Sequence, residues 1–596
     1  MQTDLQFDPE TGNSDKRDEP LSRIYGLFES ELIRFLEFRH GVLQDRVKFA
    51  VAFLSLFRKA GHVCLPLDLS CSEWCHLLEI DPNTIQDLPA RIHPEDLMQS
   101  GITGRPGEVK PFILDEENRL FTHKTYFHET DAARTLKKLS ASIVQPEITP
   151  PIKNLINTLY PDSQNSREPD YQKAAAILSL YKKLIVLSGG PGTGKTTTIT
   201  KILALHAKLN GPGFSIALAA PTGKAAARMS EAITRTISVF NPDAEQRVSI
   251  PKKAMTLHRL LQPYNSTGLF PDMKDPLPYD LIVIDEASMM DLVMAQKLLK
   301  NIGENTMLVL VGDRNQLASV EAGAVLGDLC IKKGNGLTPR LLKIIQNDFP
   351  DFGIPAKPDQ DSAMDDSVIY LEKNFRFGSE SGIGVFADTI KRGDGDGTVK
   401  ILDDQVYEDV QYGYLLTSAK DYESVFESLF QVFEMAAAES PEEALTHWQK
   451  SIWLTPHRYK YPGVVHLNRE FEKYMAGKKR YPVRDNLFDG KPVLITKNDY
   501  HLNLFNGDHG VIKTTNGVKQ ACFMTAENAI RMVGVSRLTH YEPAWFWTVH
   551  KCQGSEFDKV HLLLPEGDSP VLSKELIYTA VTRARKQFLF HGDTNT

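Results

Sequence analysis

The octapeptide Gly189-Gly-Pro-Gly-Thr-Gly-Lys195-Thr196 constrains this chain more than any other segment. It follows the apolar run Leu184–Ser188 and opens a Thr/Ile/Ala/Leu stretch, so it sits between a strand and a helix, the setting in which G-x-x-x-x-G-K-[ST] cradles phosphate. Glycines let the backbone curl until successive N–H groups point at phosphate oxygens, beside the positive end of the next helix. In that geometry Lys195 reaches the β- and γ-phosphates and the Thr196 hydroxyl ligates Mg²⁺. Gly190, Gly192, Thr193, Gly194 and Thr197 complete the cradle. The chain therefore handles a nucleoside triphosphate.

At 596 residues the chain exceeds one core and predicts about three to four domains. A net charge of −8 argues against coating a polyanion through the overall field, but leaves room for a local basic channel. No apolar run approaches the ~20 residues that span a bilayer. Six cysteines make no disulfide scaffold, so a reducing cytoplasm is expected. Cys64, Cys71, Cys75 and His76 cluster at a spacing that is no standard zinc pattern, and read as structural.

Residues 1–18 read as a polar, disordered tail. Apolar residues at three and four spacings between Leu21 and Ala60 predict amphipathic helices. The Pro-rich Val144–Pro151 is a linker candidate. Apolar runs at 184–188, 215–220, 281–285 and 307–311, alternating with helical patterns, predict a parallel sheet with crossover helices. Residues 331–370, with several Pro, Asp and Gly, read as an insertion or mobile loop. Ile452–Thr455, Val493–Thr496, Val560–Leu564 and Phe588–His591 predict a second α/β domain. Asn506-Gly507 and Asn516-Gly517 are hairpin signals, placing a small β-barrel insertion at about 497–547.

Two carboxylates, Asp285 and Glu286, end the run Leu281–Ile284. Asp285 is placed to hold Mg²⁺ through water and Glu286 to polarise the attacking water. Gln316, in Leu310-Val-Gly-Asp-Arg-Asn-Gln-Leu317, is a γ-phosphate sensor candidate. Pro221, Thr222 and Lys224 form a second phosphate-friendly helix start, for which a nucleic-acid backbone is the natural ligand. His258 could add a contact. Arg376 and Arg583 are candidate arginine fingers, planar cations worth ~10³–10⁵ in rate at a γ-phosphate. Trp545-Phe-Trp547 reads as packing and Lys478-Lys-Arg480 as a solvated turn.

The ordered blocks GGPGTGKTTT, APTGKAAARM, TLHRLL, VIDEASM, LVGDRNQLASVEAGAVLGDL, NFRF, LFNGDHG, TVHKCQGSEF and YTAVTRAR resemble superfamily 1 helicases. More narrowly they resemble the RecD family, which supplies the α subunit of the RecBCD enzyme (exodeoxyribonuclease V). The likeness runs from about Gln172 to Arg585. It implies an α/β fold with two RecA-like parallel-sheet motor domains (141–375 and 376–596), a mainly helical partner-docking domain (1–140) and the barrel insertion. It implies ATP and Mg²⁺ between the motors, single-stranded DNA across their tops, movement 5′→3′ on duplex ends, and RecB-like and RecC-like partners in a heterotrimer with no membrane association. Carried over position by position, Gln172 reads adenine and Glu556 lies near the ribose. Thr222, His258, Asn506, Thr548 and His550 resemble DNA-facing positions. Cys552 stands where the family usually has Ser, and the segment after Arg458 departs from the usual Gly-containing version. A stand-alone RecD-like helicase and a non-motor ATPase loading factor are the alternatives. Beyond the ATP site the sequence shows no nuclease-type acidic cluster, so nuclease activity is expected in a partner.

Overall fold

The computed structural model describes residues 26–596 except 79, 162–168, 241–249, 262–275, 320, 332–333, 358–363, 379, 414–420, 479–486, 500, 526–528, 565–568, 570 and 593–596. The expected tail at 1–18 lies outside the described residues, as does most of Lys478–Arg480. The chain divides into two compact units, residues 1–128 and 129–596.

In the first unit, Leu27–His40 (α1) and Asp45–Lys59 (α2) are the helices expected from the apolar spacing. The face of α2 carrying Phe49, Phe53, Leu54 and Phe57 fills a core with Trp74 and both Cys71 and Cys75. Burial pushes the Cys71 thiol up to about 12, which keeps it protonated and inert. The unit is less helical than expected. It also holds a four-stranded sheet: Leu65–Pro66 (β1), Thr103–Gly104 (β2), Phe112–Leu114 (β3) and Arg119–Thr122 (β4), ordered β1-β4-β3-β2. Such strands of two to four residues are too short to leave a periodic signal.

In the second unit, one parallel sheet comprises Leu184–Gly189 (β5), Ile216–Ala220 (β6), Met255–Thr256 (β7), Leu281–Ile284 (β8), Met307–Gly312 (β9) and Val368–Leu371 (β10), ordered β10-β5-β9-β8-β6-β7. Its central strands are apolar throughout because helices cover both faces. The segment 331–370 is no simple loop: it carries the helix Pro339–Asp348, capped by Thr338, and the edge strand β10 paired to β5.

A second parallel sheet comprises Val410–Tyr412 (β11), Ser451–Thr455 (β12), Phe546–Thr548 (β18), Phe557–Leu563 (β19) and Ala584–His591 (β20), ordered β11-β20-β19-β12-β18. Val493–Thr496 does not join it. Pro492–Ile495 (β13) instead belongs to an antiparallel sheet with His509–Thr515 (β14), Val518–Met524 (β15), Ile530–Gly534 (β16) and Tyr541–Pro543 (β17). The insertion thus begins earlier than expected. Among the described residues its order β16-β15-β14-β13-β17 does not close into a barrel. Asn516 and Gly517 connect β14 to β15 with both φ angles positive (52° and 75°), the two-residue turn the sequence announces. Asn506-Gly507 lies at the end of the longer connection between the antiparallel β13 and β14, where the Gly507 N–H donates to the Ile495 carbonyl (2.9 Å). Trp545 packs among Phe433, Trp448 and Phe471, as an aromatic core residue.

Candidate nucleotide cleft and nucleic-acid face

Tyr171–Leu178 (α3) presents Gln172 to the phosphate loop, where its Nε2 donates to the Thr193 carbonyl (3.0 Å). The loop leaves β5 and feeds Lys195–Asn210 (α4). Gly192 and Gly194 adopt φ of 83° and 80°, a region where a side chain is strained. A Cβ on Gly192 would also lie 2.4 Å from Arg376 Cβ, and one on Gly194 2.3 Å from Gln172 Nε2. The Thr193 hydroxyl donates to the Gly190 carbonyl (2.8 Å), while Lys195 Nζ donates to the Gly189 and Gly190 carbonyls (2.7 and 3.1 Å).

β8 ends beside the loop, so Asp285 and Glu286 face Lys195 and Thr196 across one cleft of ≈ 300 Å³. Thr197, Gln316, Arg376, Gly554, Glu556 and Arg583 also line it. Burial pushes the Asp285 carboxyl up to about 6; the neighbouring Glu286 charge adds to this and Lys195 opposes it. Glu286 sits at φ 52°, a left-handed conformation that costs a non-glycine residue free energy and recurs at functional sites. Its N–H donates to Asp285 Oδ1 (2.9 Å).

The two expected arginines enter the cleft from different places, Arg376 from the turn that follows β10 of the first sheet and Arg583 from the segment that leads into β20 of the second. Asn374 Oδ1 accepts the N–H groups of Arg376 and Phe377 (2.8 and 3.0 Å), fixing the turn that carries Arg376. Arg583 follows Lys574–Val581 (α9) and is 3 % exposed; its Nε donates to the Thr579 carbonyl (3.2 Å). Arg376 Nη1 and Arg583 Nη2 are buried with no hydrogen-bond partner. Buried donors left unpaired are costly. Two of them on arginines lining one cleft with a phosphate loop fit the oxygens of a triphosphate, so the residues suit the group the sequence implies. Glu556, expected near the ribose, lines the same cleft and is tied to Arg376 (2.6 Å) and Arg585 (3.0 Å). Burial alone would raise its carboxyl, but Arg376, Arg228 and Arg585 hold it at about 2.

Arg228 was not legible as a site residue. It stands on Gly223–Phe240 (α5), one turn after Lys224, and lines the cleft. Burial lowers its affinity for a proton, while the charges of Glu556 and Glu286 oppose that shift. Its signal was an arginine within the alanine-rich start of that helix.

A polar seam links the sensor loop to the second motor. The Tyr578 hydroxyl donates to Asp313 Oδ2 (3.1 Å), which also accepts from Gln316 Nε2 (3.2 Å). The Leu317 N–H donates to Thr579 Oγ1 (2.9 Å), and its carbonyl accepts from Gln553 Nε2 (2.9 Å).

The nucleic-acid candidates divide. His258 and Asn506 are exposed, and Pro221 and His550 half-buried. The Thr222 hydroxyl caps α5 by accepting the Ala225 N–H, and Thr548 caps the turn that follows β18 by accepting from Lys551. Lys224 is half-buried; its Nζ reaches the Gly507 carbonyl (3.3 Å) and lies 5.5 Å from the Trp547 ring centre, and burial lowers its pKa to about 8. Among the described residues no group of three or more His, Cys, Asp or Glu side chains could hold a metal.

Two parallel sheets, with a phosphate loop on one, Arg583 from the other and Arg376 from the segment between them closing the same cleft, define a P-loop ATPase motor of the helicase type. The AAA domain family matches residues 172–322, and the UvrD-like helicase C-terminal domain family matches 543–590. The RecBCD enzyme subunit RecD of Mycolicibacterium smegmatis is 38 % identical over 70 % of this chain and 69 % of that protein. The subunit of that name from Mycobacterium tuberculosis is 33 % identical over 92 % and 87 %. The ATP-dependent RecD2 DNA helicase of Deinococcus radiodurans is 27 % identical over 96 % and 70 %. The chain belongs to the RecD family.

Proposed function

We propose that this chain is the ATP-driven 5′→3′ DNA-translocating subunit of a RecBCD-type complex that processes double-strand ends in the cytoplasm. The observation that carries the motor reading is the pair of buried, unpartnered guanidinium nitrogens, Arg376 Nη1 and Arg583 Nη2, at the cleft that holds Lys195. Lys195 binds the β- and γ-phosphates, Thr196 and Asp285 hold Mg²⁺, and Glu286 orients the attacking water and accepts its proton. The ion that Thr196 and Asp285 would hold would supply positive charge to offset that of the phosphates. Arg376 and Arg583 meet the charge that develops as the phosphoryl group departs, and Gln316 senses its presence. DNA takes the face formed by Thr222, His258, Asn506 and His550.

The complex reading is supported by the RecD relatives and by the outer face of α1. Leu27, Phe28, Phe35 and Phe38 are 81 %, 63 %, 56 % and 86 % exposed, opposite the buried Ile33 and Leu36. An apolar stripe of that kind suits a RecC-like subunit. RecB-like chemistry supplies the nuclease. Unwinding of duplexes bearing either a 5′ or a 3′ single-stranded tail tests the motor: the 5′ tail should support unwinding and the 3′ tail should not. Lys195→Gln should abolish both hydrolysis and unwinding. A preference for 3′ tails would overturn the polarity, and wild-type hydrolysis in folded Lys195→Gln would overturn the nucleotide site.

A further inference from the structure

β12 ends at Thr455 and passes into His457-Arg458-Tyr459-Lys460-Tyr461 before Val464–Gly477 (α8) begins. The base of this loop is anchored. Buried His457 has its Nε2 3.1 Å from Ser569 Oγ, and the Thr455 hydroxyl donates to the Pro462 carbonyl (3.0 Å). The N–H groups of Val464 and Val465 donate to the carbonyls of His457 and Arg458 (2.9 and 3.0 Å). The tip is the opposite: Tyr459 is 76 % exposed and Tyr461 56 %. The Arg458 guanidinium lies 5.4 Å from the Tyr459 ring centre.

The surroundings are basic. Thr455 is the register neighbour of Thr548, so the loop emerges beside the Thr548–Lys551 segment, at the carboxyl edge of the second parallel sheet. Glu542 ties the two segments together, accepting from Arg458 Nη2 (3.1 Å) and from Lys551. Arg458 and Lys551 share that one carboxylate, and Lys460 on the same loop is exposed. Two exposed rings interleaved with cations on a rigid base match what a single strand needs: flat faces for bases and positive charge for the phosphates between them.

We propose that Tyr459, with Tyr461 beside it, is a base-stacking platform for single-stranded DNA on the second motor domain. This rests on the reading of the chain as a DNA motor. Stacking on a tyrosine face accepts any base, so the platform grips the strand without reading its sequence. Arg458 and Lys460 hold the flanking phosphates.

The test is equilibrium binding of the full chain to a short oligothymidine and to an abasic strand of the same length. Tyr459→Ala should weaken binding to the base-bearing strand roughly five- to a hundredfold and leave the abasic strand unaffected. Tyr459→Phe should bind like the wild type. Lys460→Ala should weaken both strands equally and flatten the salt dependence, because it removes a phosphate contact. Undiminished oligothymidine binding by Tyr459→Ala would overturn the platform, and so would an equal loss on both strands. Normal DNA binding with lost co-purification of partner chains would make the loop a protein interface and refute the platform. If the wild type bound neither strand, the DNA-motor reading itself would fail.

Discussion

Acid should dismantle the second motor domain well before ordinary carboxylate titration begins. Three histidines lie inside it without charge. His591 and His561 share one hydrogen bond (2.9 Å) beneath Trp453, and burial holds His591 at about 3 and His561 well below its usual value. His509 is edge-on to Trp547 and is held at about 3 by burial and by Lys224; its Nε2 has no partner. Each titrates near 6.5 when unfolded. A depressed folded pKa therefore stabilises the domain fully above that value, and the contribution is lost as pH falls through 6.5 toward 3. Between pH 7 and pH 5 the loss is about 2 kcal/mol for each of His509 and His591, and His561 adds to it in the same direction. Asp508, raised by burial, returns part of this near the acidic end. A total stability of about 5–15 kcal/mol makes such a loss large. Urea titration followed by tryptophan fluorescence reads it, since four of the five tryptophans lie after residue 376. The midpoint should fall by roughly 2–3 M between pH 7 and pH 5. In His509→Phe the gap should shrink, because one of the proton terms is gone. Equal midpoints at the two pH values, or an undiminished gap in His509→Phe, would refute the argument.

Arg583→Ala should cut ATP turnover by about 10³-fold or more while changing nucleotide affinity far less, since a finger acts chiefly on the transition state. Steady-state kinetics beside nucleotide-binding titration separates the two quantities, and equal affinity loss with unchanged turnover would mark Arg583 as a ground-state anchor. Arg228→Gln should lower turnover more than it raises KM and should leave the thermal transition in place, because the residue lines the cleft without packing a core. Phe35→Asp with Phe38→Asp should abolish co-purification with the partner subunits and spare DNA-stimulated ATPase activity, both side chains lying on the exposed face of α1. Retained assembly would remove the docking role.

The phosphate loop, the Asp285-Glu286 pair and the Asn516-Gly517 turn were legible because each is a local backbone requirement written at fixed spacing. The edge strand β10 was hidden: four residues, Val368–Leu371, close a stretch whose prolines and aspartates signal loop, and only pairing with β5 makes them a strand. Val493–Thr496 was assigned to the wrong sheet because a short apolar run records its burial and not its neighbours. Lys224 illustrates the same limit at one side chain. Its partner, the Gly507 carbonyl, is 283 residues away in the sequence, and no helix-start motif encodes it. Arg228 escaped notice because its role depends on Glu286 and Glu556, which come from different domains.

The eight residues of α9 carry a mechanical implication. Tyr578 and Thr579 hold the Asp313–Leu317 loop, and the helix ends two residues before Arg583, which lines the cleft. One rigid segment therefore spans the fuel and the body that moves along the track. Linkage between two ligands is reciprocal, so whatever drives that body forward when ATP arrives must loosen ATP when the body is pulled back. A motor built this way would register opposing load as weaker fuel binding.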